Sequence, residues 1–210
     1  MNKLGDLSCN EFLTELAGAA PAPGGGGGAA MAGALAAALA SMVANLTIGK
    51  EKFADREPEV KELLEQAEAE RVRLLTLVDE DAAVFNSFMS CYKLPKTTDE
   101  EKAARTAAIR AAAKQAATVP LNIARSSFAV LKLADRLVVS GNPGVITDAA
   151  CSGLLARAAL RCAEYNVRIN LGLTKDEVWN AQAAADLKKL LADAEALETR
   201  LLAVTDKALQ

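Results

Sequence analysis

The sequence predicts an all-α fold, a single-domain up-and-down bundle of about five long helices around an Ala-rich central helix. Apolar residues recur at three- and four-residue steps along most of the chain, the spacing of a helix face and not of a strand. Ser8-x-x-Glu11, Thr98-x-x-Glu101 and Thr174-x-x-Glu177 have the form of capping boxes, in which the hydroxyl and the carboxylate each satisfy an amide left free at a helix start. Strand-like stretches at 136–140 and 167–170 are short and sit inside helical periodicity.

The elements follow in order. Ser8 opens a short helix to about Ala17, with Phe12, Leu13 and Leu16 on one face, and Pro21, Pro23 and the glycines at 24–28 end it. An Ala-rich helix then runs to about Ile48, where Gly49-Lys50-Glu51-Lys52 returns the chain to water. The stretch 21–48 carries no charge and is long enough to span a membrane, but alanine contributes little to insertion and Ser41 and Asn45 oppose it. It is therefore expected to be the buried centre of a soluble bundle. No basic region precedes it and no cleavage pattern follows, so a signal peptide is not expected.

Pro58 suits the first turn of a third helix that reaches about Ser90. After Leu94-Pro95-Lys96, Thr98 starts another helix to about Thr118, and Pro120 either kinks it or begins a new one. Gly141-Asn142-Pro143-Gly144 is a strong turn before a helix through about Leu171, and Thr174 is expected to cap the terminal helix. No Ser/Pro-rich linker divides the chain, which is expected to form one helical domain over 1–210.

Composition narrows the chemistry. A net charge of -3 argues against an overall basic surface for nucleic acid. Cys9, Cys91, Cys151 and Cys162 lack Cys-x-x-Cys spacing and lie among apolar helical residues, so they are expected to be reduced, buried thiols in a cytoplasmic protein. Histidine is absent, which removes the commonest general base and metal ligand. Acid/base work must then fall to Asp, Glu, Lys, Tyr or Cys, and no metal site is expected.

Polar side chains on apolar stripes are the informative positions, because a buried polar group costs free energy until it finds a partner. Leu74, Val78, Asp81, Phe85 and Phe88 follow one another by helical steps, so Asp81 faces inward, whereas Asp79 and Glu80 are expected in solvent. Asp81 suits either a structural carboxylate that caps a neighbouring helix or a catalytic one. Asp148 sits in the first turn of its helix, where the dipole favours an anion. Asn166 and Asn170 share a mainly apolar face with Ser152, Leu155 and Cys162, and Asn45 is the lone amide of the Ala-rich helix. Such amides converging on one interior would make a polar pocket. The glycine run is neither a P-loop nor a dinucleotide fingerprint, but its backbone N–H groups at a helix start can receive a carboxylate.

Taken together, Pro21-x-Pro-Gly-Gly-Gly, Ser41-Met-Val-Ala-Asn45-Leu-Thr, Asp81-x-x-x-Phe85-Asn86, Leu94-Pro95-Lys96, Gly141-Asn142-Pro143 with Asp148, and Asn166-Val-Arg-Ile-Asn170 resemble the formiminotransferase-cyclodeaminase carboxy-terminal family, which includes stand-alone methenyltetrahydrofolate cyclohydrolases. The likeness covers nearly the whole chain in order. It departs at Gly27-Gly28-Ala29, where the family often has Ser or Thr after three glycines.

The resemblance implies a cytoplasmic homodimer or higher oligomer that takes one-carbon tetrahydrofolate derivatives as substrates, without metal, redox cofactor, nucleic acid or membrane. It implies either closure of 5-formiminotetrahydrofolate to 5,10-methenyltetrahydrofolate with loss of ammonia, towards which the reading leans, or hydrolysis of the methenyl ring to 10-formyltetrahydrofolate. Asp81 and Asp148 are the candidate catalytic carboxylates, and Gly24, Gly25, Gly26, Asn45, Lys96, Asn142, Asn166 and Asn170 the candidate substrate contacts. Lys50, Lys52 and Lys93 are further cations able to meet a folate carboxylate tail. A catalytically silent helical scaffold and a membrane-associated protein are the competing classes.

Overall fold

A computed structural model describes residues 3–210 and contains no strand among them. After a 3-10 turn at Leu4–Asp6 come α1 (Cys9–Leu16), α2 (Gly25–Asn45), α3 (Glu57–Cys91), α4 (Asp99–Ser140), α5 (Ile146–Thr174) and α6 (Glu177–Ala208). Side-chain bonds between helices fix their directions. Ser41 on α2 donates to Glu68 on α3 at 2.7 Å, Arg136 on α4 pairs with Glu59 on α3 at 2.8 Å, and Ser152 on α5 donates to the Ala36 carbonyl on α2 at 2.7 Å. Arg157 on α5 pairs with Glu198 on α6 at 3.2 Å. The long helices therefore run alternately up and down from α2 to α6, the all-α bundle that the periodicity predicts.

Alanine makes α2 thin, and neighbours close in on it. Ala30, Ala36, Ala37, Ala40 and Ala44 are wholly buried against α3, α4 and α5. The helix is long and apolar enough to cross a membrane by composition alone, yet most of its apolar window is buried inside the bundle. Its fourth side is open: Leu35 and Met42 are 52% and 43% exposed. The central helix is thus enclosed on three sides, while α4 runs behind it and contacts α2, α3, α5 and α6.

Local chemistry differs from expectation at several points. Ser8 and Thr98 form full capping boxes, but α6 is capped by Asp176, which accepts from the Trp179 amide at 3.0 Å. The reason is that α5 runs on to Thr174 and the chain reverses at Lys175 in the left-handed region (φ 56°), which moves the start of α6 past Thr174. Thr174 instead donates to the Asn180 side chain at 2.6 Å. Pro120 neither ends nor starts a helix, for α4 passes through it unbroken. The glycines from 25 onward are not a loop but the first turns of α2, with Gly24 as its N-cap residue. Cys9, Cys151 and Cys162 are exposed and Cys91 half-buried, all four as free thiols, because they fall on outer helix faces and not in the core.

Candidate active site

The amino end of α2 has no capping side chain of its own. Its free amides meet a carboxylate from α3 instead. One helical face carries Leu74, Leu77 and Val78 into the core and, one turn later, brings Asp81 to the glycines of α2. The Asp81 carboxylate sits beside the Gly27 amide, which favours its charged form, and lies so close over Gly26 that any β-carbon there would overlap it. The need for glycine is therefore a close approach, not an unusual backbone angle. Gly25 has more room, since a β-carbon there would stand 3.5 Å from the Asn166 amide.

Desolvation by burial pushes the Asp81 carboxyl above its usual range, and the Gly27 amide pulls against that shift without cancelling it. The group is thus a stronger base than a surface carboxylate when ionised, and holds a proton at a higher pH.

A cavity of about 170 Å³ opens over this carboxylate. Pro21, Ala22 and the glycines 24–26 form one wall, Val84, Phe85 and Phe88 of α3 a second, Ala116 and Val119 of α4 a third, and Asn166 and Asn170 of α5 the fourth. The Asn166 amide donates to its own helix at the Cys162 carbonyl, 2.9 Å away, and the Asn170 amide donates to the Asn166 and Ala116 carbonyls at 2.9 and 2.8 Å. Among the described residues neither side-chain oxygen accepts a hydrogen bond, so both are acceptors open to a ligand. The space combines one charged acid/base group, two amide acceptors and an aromatic wall. It can hold a flat cationic group and move a proton at it.

The structure brings together six of the ten candidate residues: Asp81, Gly24, Gly25, Gly26, Asn166 and Asn170. Asn45, Asn142 and Asp148 stand at the opposite end of α2, about 30 Å away by helix rise. Asn142 is fully engaged there: its backbone N–H donates to Thr47 Oγ1 at 2.8 Å, its side-chain amide donates to the Leu46 carbonyl at 3.1 Å, and its side-chain oxygen accepts from the Gly144 N–H at 3.0 Å. Asn45 is exposed, and Asp148 is half-buried in the first turn of α5. Lys96 is exposed in the turn beyond α3, at the pocket's end of the bundle but not in its lining, and Lys93 is exposed beside it. Lys50 and Lys52 lie at the far end, where Lys52 covers the Phe53 ring. Asp79 is not simply solvated, because its carboxylate accepts from the Leu4 amide at 2.6 Å, and Glu80 pairs with Arg73 at 3.1 Å.

Sequence reasoning missed the α4 wall, Ala116 and Val119. These small residues carry no chemical signature, and only Pro120 beside them marked the place.

Comparisons with known proteins bear on the family and the fold. A family model described as formiminotransferase-cyclodeaminase matches residues 8–189. The chain is 44% identical over 197 residues to the methenyltetrahydrofolate cyclohydrolase of Methylorubrum extorquens, which spans 94% of this chain and 95% of that protein. It is 33% identical over 190 residues to the formimidoyltransferase-cyclodeaminase of Rattus norvegicus, covering 90% of this chain but 35% of that longer protein. The crystal structure of formiminotetrahydrofolate cyclodeaminase from Thermotoga maritima matches with a TM-score of 0.88 and 30% identity, covering 98% of each chain.

Proposed function

The chain belongs to the formiminotransferase-cyclodeaminase family, and from that premise we propose that it hydrolyses 5,10-methenyltetrahydrofolate to 10-formyltetrahydrofolate in the cytoplasm, with Asp81 as the group that moves the proton. It is an enzyme of one-carbon folate chemistry in the cyclodeaminase/cyclohydrolase family. The preference for hydrolysis over the ammonia-releasing closure rests on the 44% identity to a cyclohydrolase of almost the same length. The 30% identical Thermotoga structure favours cyclodeamination as the second reading.

The observation that carries the chemistry is the Asp81 carboxylate, desolvated and pinned to the amino end of α2 inside a small pocket. A cavity of about 170 Å³ is smaller than the ~300–1,000 Å³ of a pocket for a drug-sized ligand. It therefore takes the one-carbon end of the folate, and the rest of the molecule lies outside. The cationic amidinium of the methenyl ring is attracted by the ionised carboxylate in a site of low dielectric. Asp81 takes a proton from the attacking water as its oxygen bonds to the one-carbon centre. It returns that proton to N5 as the carbon–N5 bond breaks. The remaining hydroxyl proton leaves to solvent as the formyl C=O forms, so each turnover releases one proton. In the second reading N10 is the nucleophile and the same carboxyl protonates departing ammonia.

We also infer a homodimer built on the open stripe of α2. Gly28, Leu35 and Met42 recur at seven-residue spacing on a helix without a charge, the pattern of a helix–helix seam. Gly25 and Asn45 lie equally far from Leu35 along the helix, so an antiparallel pairing about Leu35 would set Gly25 near Asn45 of the partner subunit. That pairing gives the outlying candidates Asn45 and Asp148 a route to the pocket of the other copy, whereas Asn142 is held by its own chain.

Supplying 5-formiminotetrahydrofolate and 5,10-methenyltetrahydrofolate separately tests the reaction. Methenyl absorbance should fall from the second substrate faster than in buffer and should not rise from the first. A rise from the first alone would establish the cyclodeaminase reading instead.

A further inference from the structure

We propose that Asn170 is a positioning residue that replaces the backbone amide proline lacks at position 120, and so holds the α4 wall of the pocket in place. In an α-helix each N–H bonds the carbonyl four residues earlier. Pro120 has no N–H, and the helix nevertheless continues from Asp99 to Ser140 around it. The carbonyl orphaned by this substitution is that of Ala116. Asn170 Nδ2 on α5 donates to that same carbonyl at 2.8 Å. The side chain thus crosses between helices and completes a ladder that the sequence of α4 leaves open.

The position matters because both sides of the gap line the cavity. Ala116 and Val119 line the cavity, and Pro120 is buried directly behind them. Ala116 is half-buried, and a carbonyl left without a donor at such a wall invites local rearrangement or a water. The other Asn170 amide proton goes to the Asn166 carbonyl at 2.9 Å, so one side chain ties the α5 wall to the α4 wall. Asn170 reads as a ligand contact by its place in the pocket lining, but both of its donors are committed to backbone. Its side-chain oxygen stays open to the cavity, and its positioning role is the one its two donors play, setting the shape of the α4 wall.

The kinetic part of the test rests on the folate reading, and the thermal part does not. Wild type, Asn170→Ala, Pro120→Ala and the double variant are compared by thermal melting and by steady-state hydrolysis of 5,10-methenyltetrahydrofolate. Asn170→Ala should lower the melting temperature and raise KM about tenfold, the worth of one net hydrogen bond, with kcat changing less. Alanine at 120 restores an N–H to the ladder, so in that background Asn170→Ala should alter KM by less than about twofold and leave melting nearly unchanged. An equal KM penalty in both backgrounds would overturn the proposal and make Asn170 a direct ligand contact. No KM change in either would overturn it too, since the wall would then not be held for the substrate. If Asn170→Ala alone fails to fold, a folded double variant supports the link and an unfolded one refutes it. Should wild type show no folate turnover at all, the proposed function fails, while the melting comparison still decides whether Asn170 and Pro120 are coupled.

Discussion

A carboxylate held against the amino end of another helix is subject to opposed demands, and Asp81 shows the balance. Burial raises its pKa while the Gly27 amide lowers it, and burial wins. As a general base it must be ionised, so kcat/KM should fall as pH drops through this raised value, above the ~3.9 of a free aspartate. A pH–rate profile whose acid limb lies above the ordinary carboxylate range, and which Asp81→Asn removes, is the expected result. The same shift acts on stability with a definite sign. The folded protein keeps the Asp81 proton to a higher pH than the unfolded chain does, so the associated stability is complete below the unfolded pKa and is lost as pH rises through the folded one. Melting of Asp81→Asn relative to wild type should therefore improve as pH climbs across that window, measured over a pH series. The inward direction of Asp81 was legible because Leu74, Val78, Phe85 and Phe88 repeat at helical steps around it. Its partners were not, because Gly26 and Gly27 are distant in sequence and glycine has no side chain to advertise a contact.

At the level of helices, α2 begins where helix propensity argues against a helix. Each glycine costs about 0.5–1 kcal/mol relative to alanine inside a helix, so a run of them reads as a loop. Tertiary contact overrides that preference: the carboxylate of α3 supplies the missing cap, and only a residue without a β-carbon lets it sit over Gly26. Gly26→Ala should displace Asp81 and reduce turnover on the order of a hundredfold, the usual worth of general acid/base catalysis. Gly25→Ala, whose new methyl meets Asn166 only at ordinary contact distance, should cost much less while both variants remain helical by circular dichroism. Element order, the capping boxes at Ser8 and Thr98 and the alternation of long helices followed from local sequence. The passage of α4 through Pro120 did not, because the donor that mends it, Asn170, comes from another helix. Likewise the cap of α6 moved to Asp176 once the chain reversed at Lys175, a backbone conformation that local patterning did not mark.

For the whole molecule, the open face of α2 is the feature a single chain leaves unfinished. Exposed Leu35 and Met42 on an uncharged helix should be covered by a second copy, so light scattering at micromolar concentration should report a dimer, and Leu35→Glu should shift it toward monomer. If the dimer pairs Asp81 of one copy with the Asp148 end of the other, inactive Asp81→Asn and Asp148→Asn proteins should complement when their subunits are exchanged. Random exchange places one intact pocket in each mixed dimer and should restore about a quarter of wild-type turnover. No recovery, with Asp148→Asn active by itself, would assign the chemistry to one chain. The central claim, that Asp81 in this pocket moves the proton for a one-carbon folate reaction, is tested most directly by following 5,10-methenyltetrahydrofolate absorbance with wild type and Asp81→Asn side by side. The account predicts hydrolysis above the buffer rate for wild type and a loss on the order of a hundredfold for the variant, with folate affinity and folding little changed. Full turnover by a folded Asp81→Asn protein would contradict it.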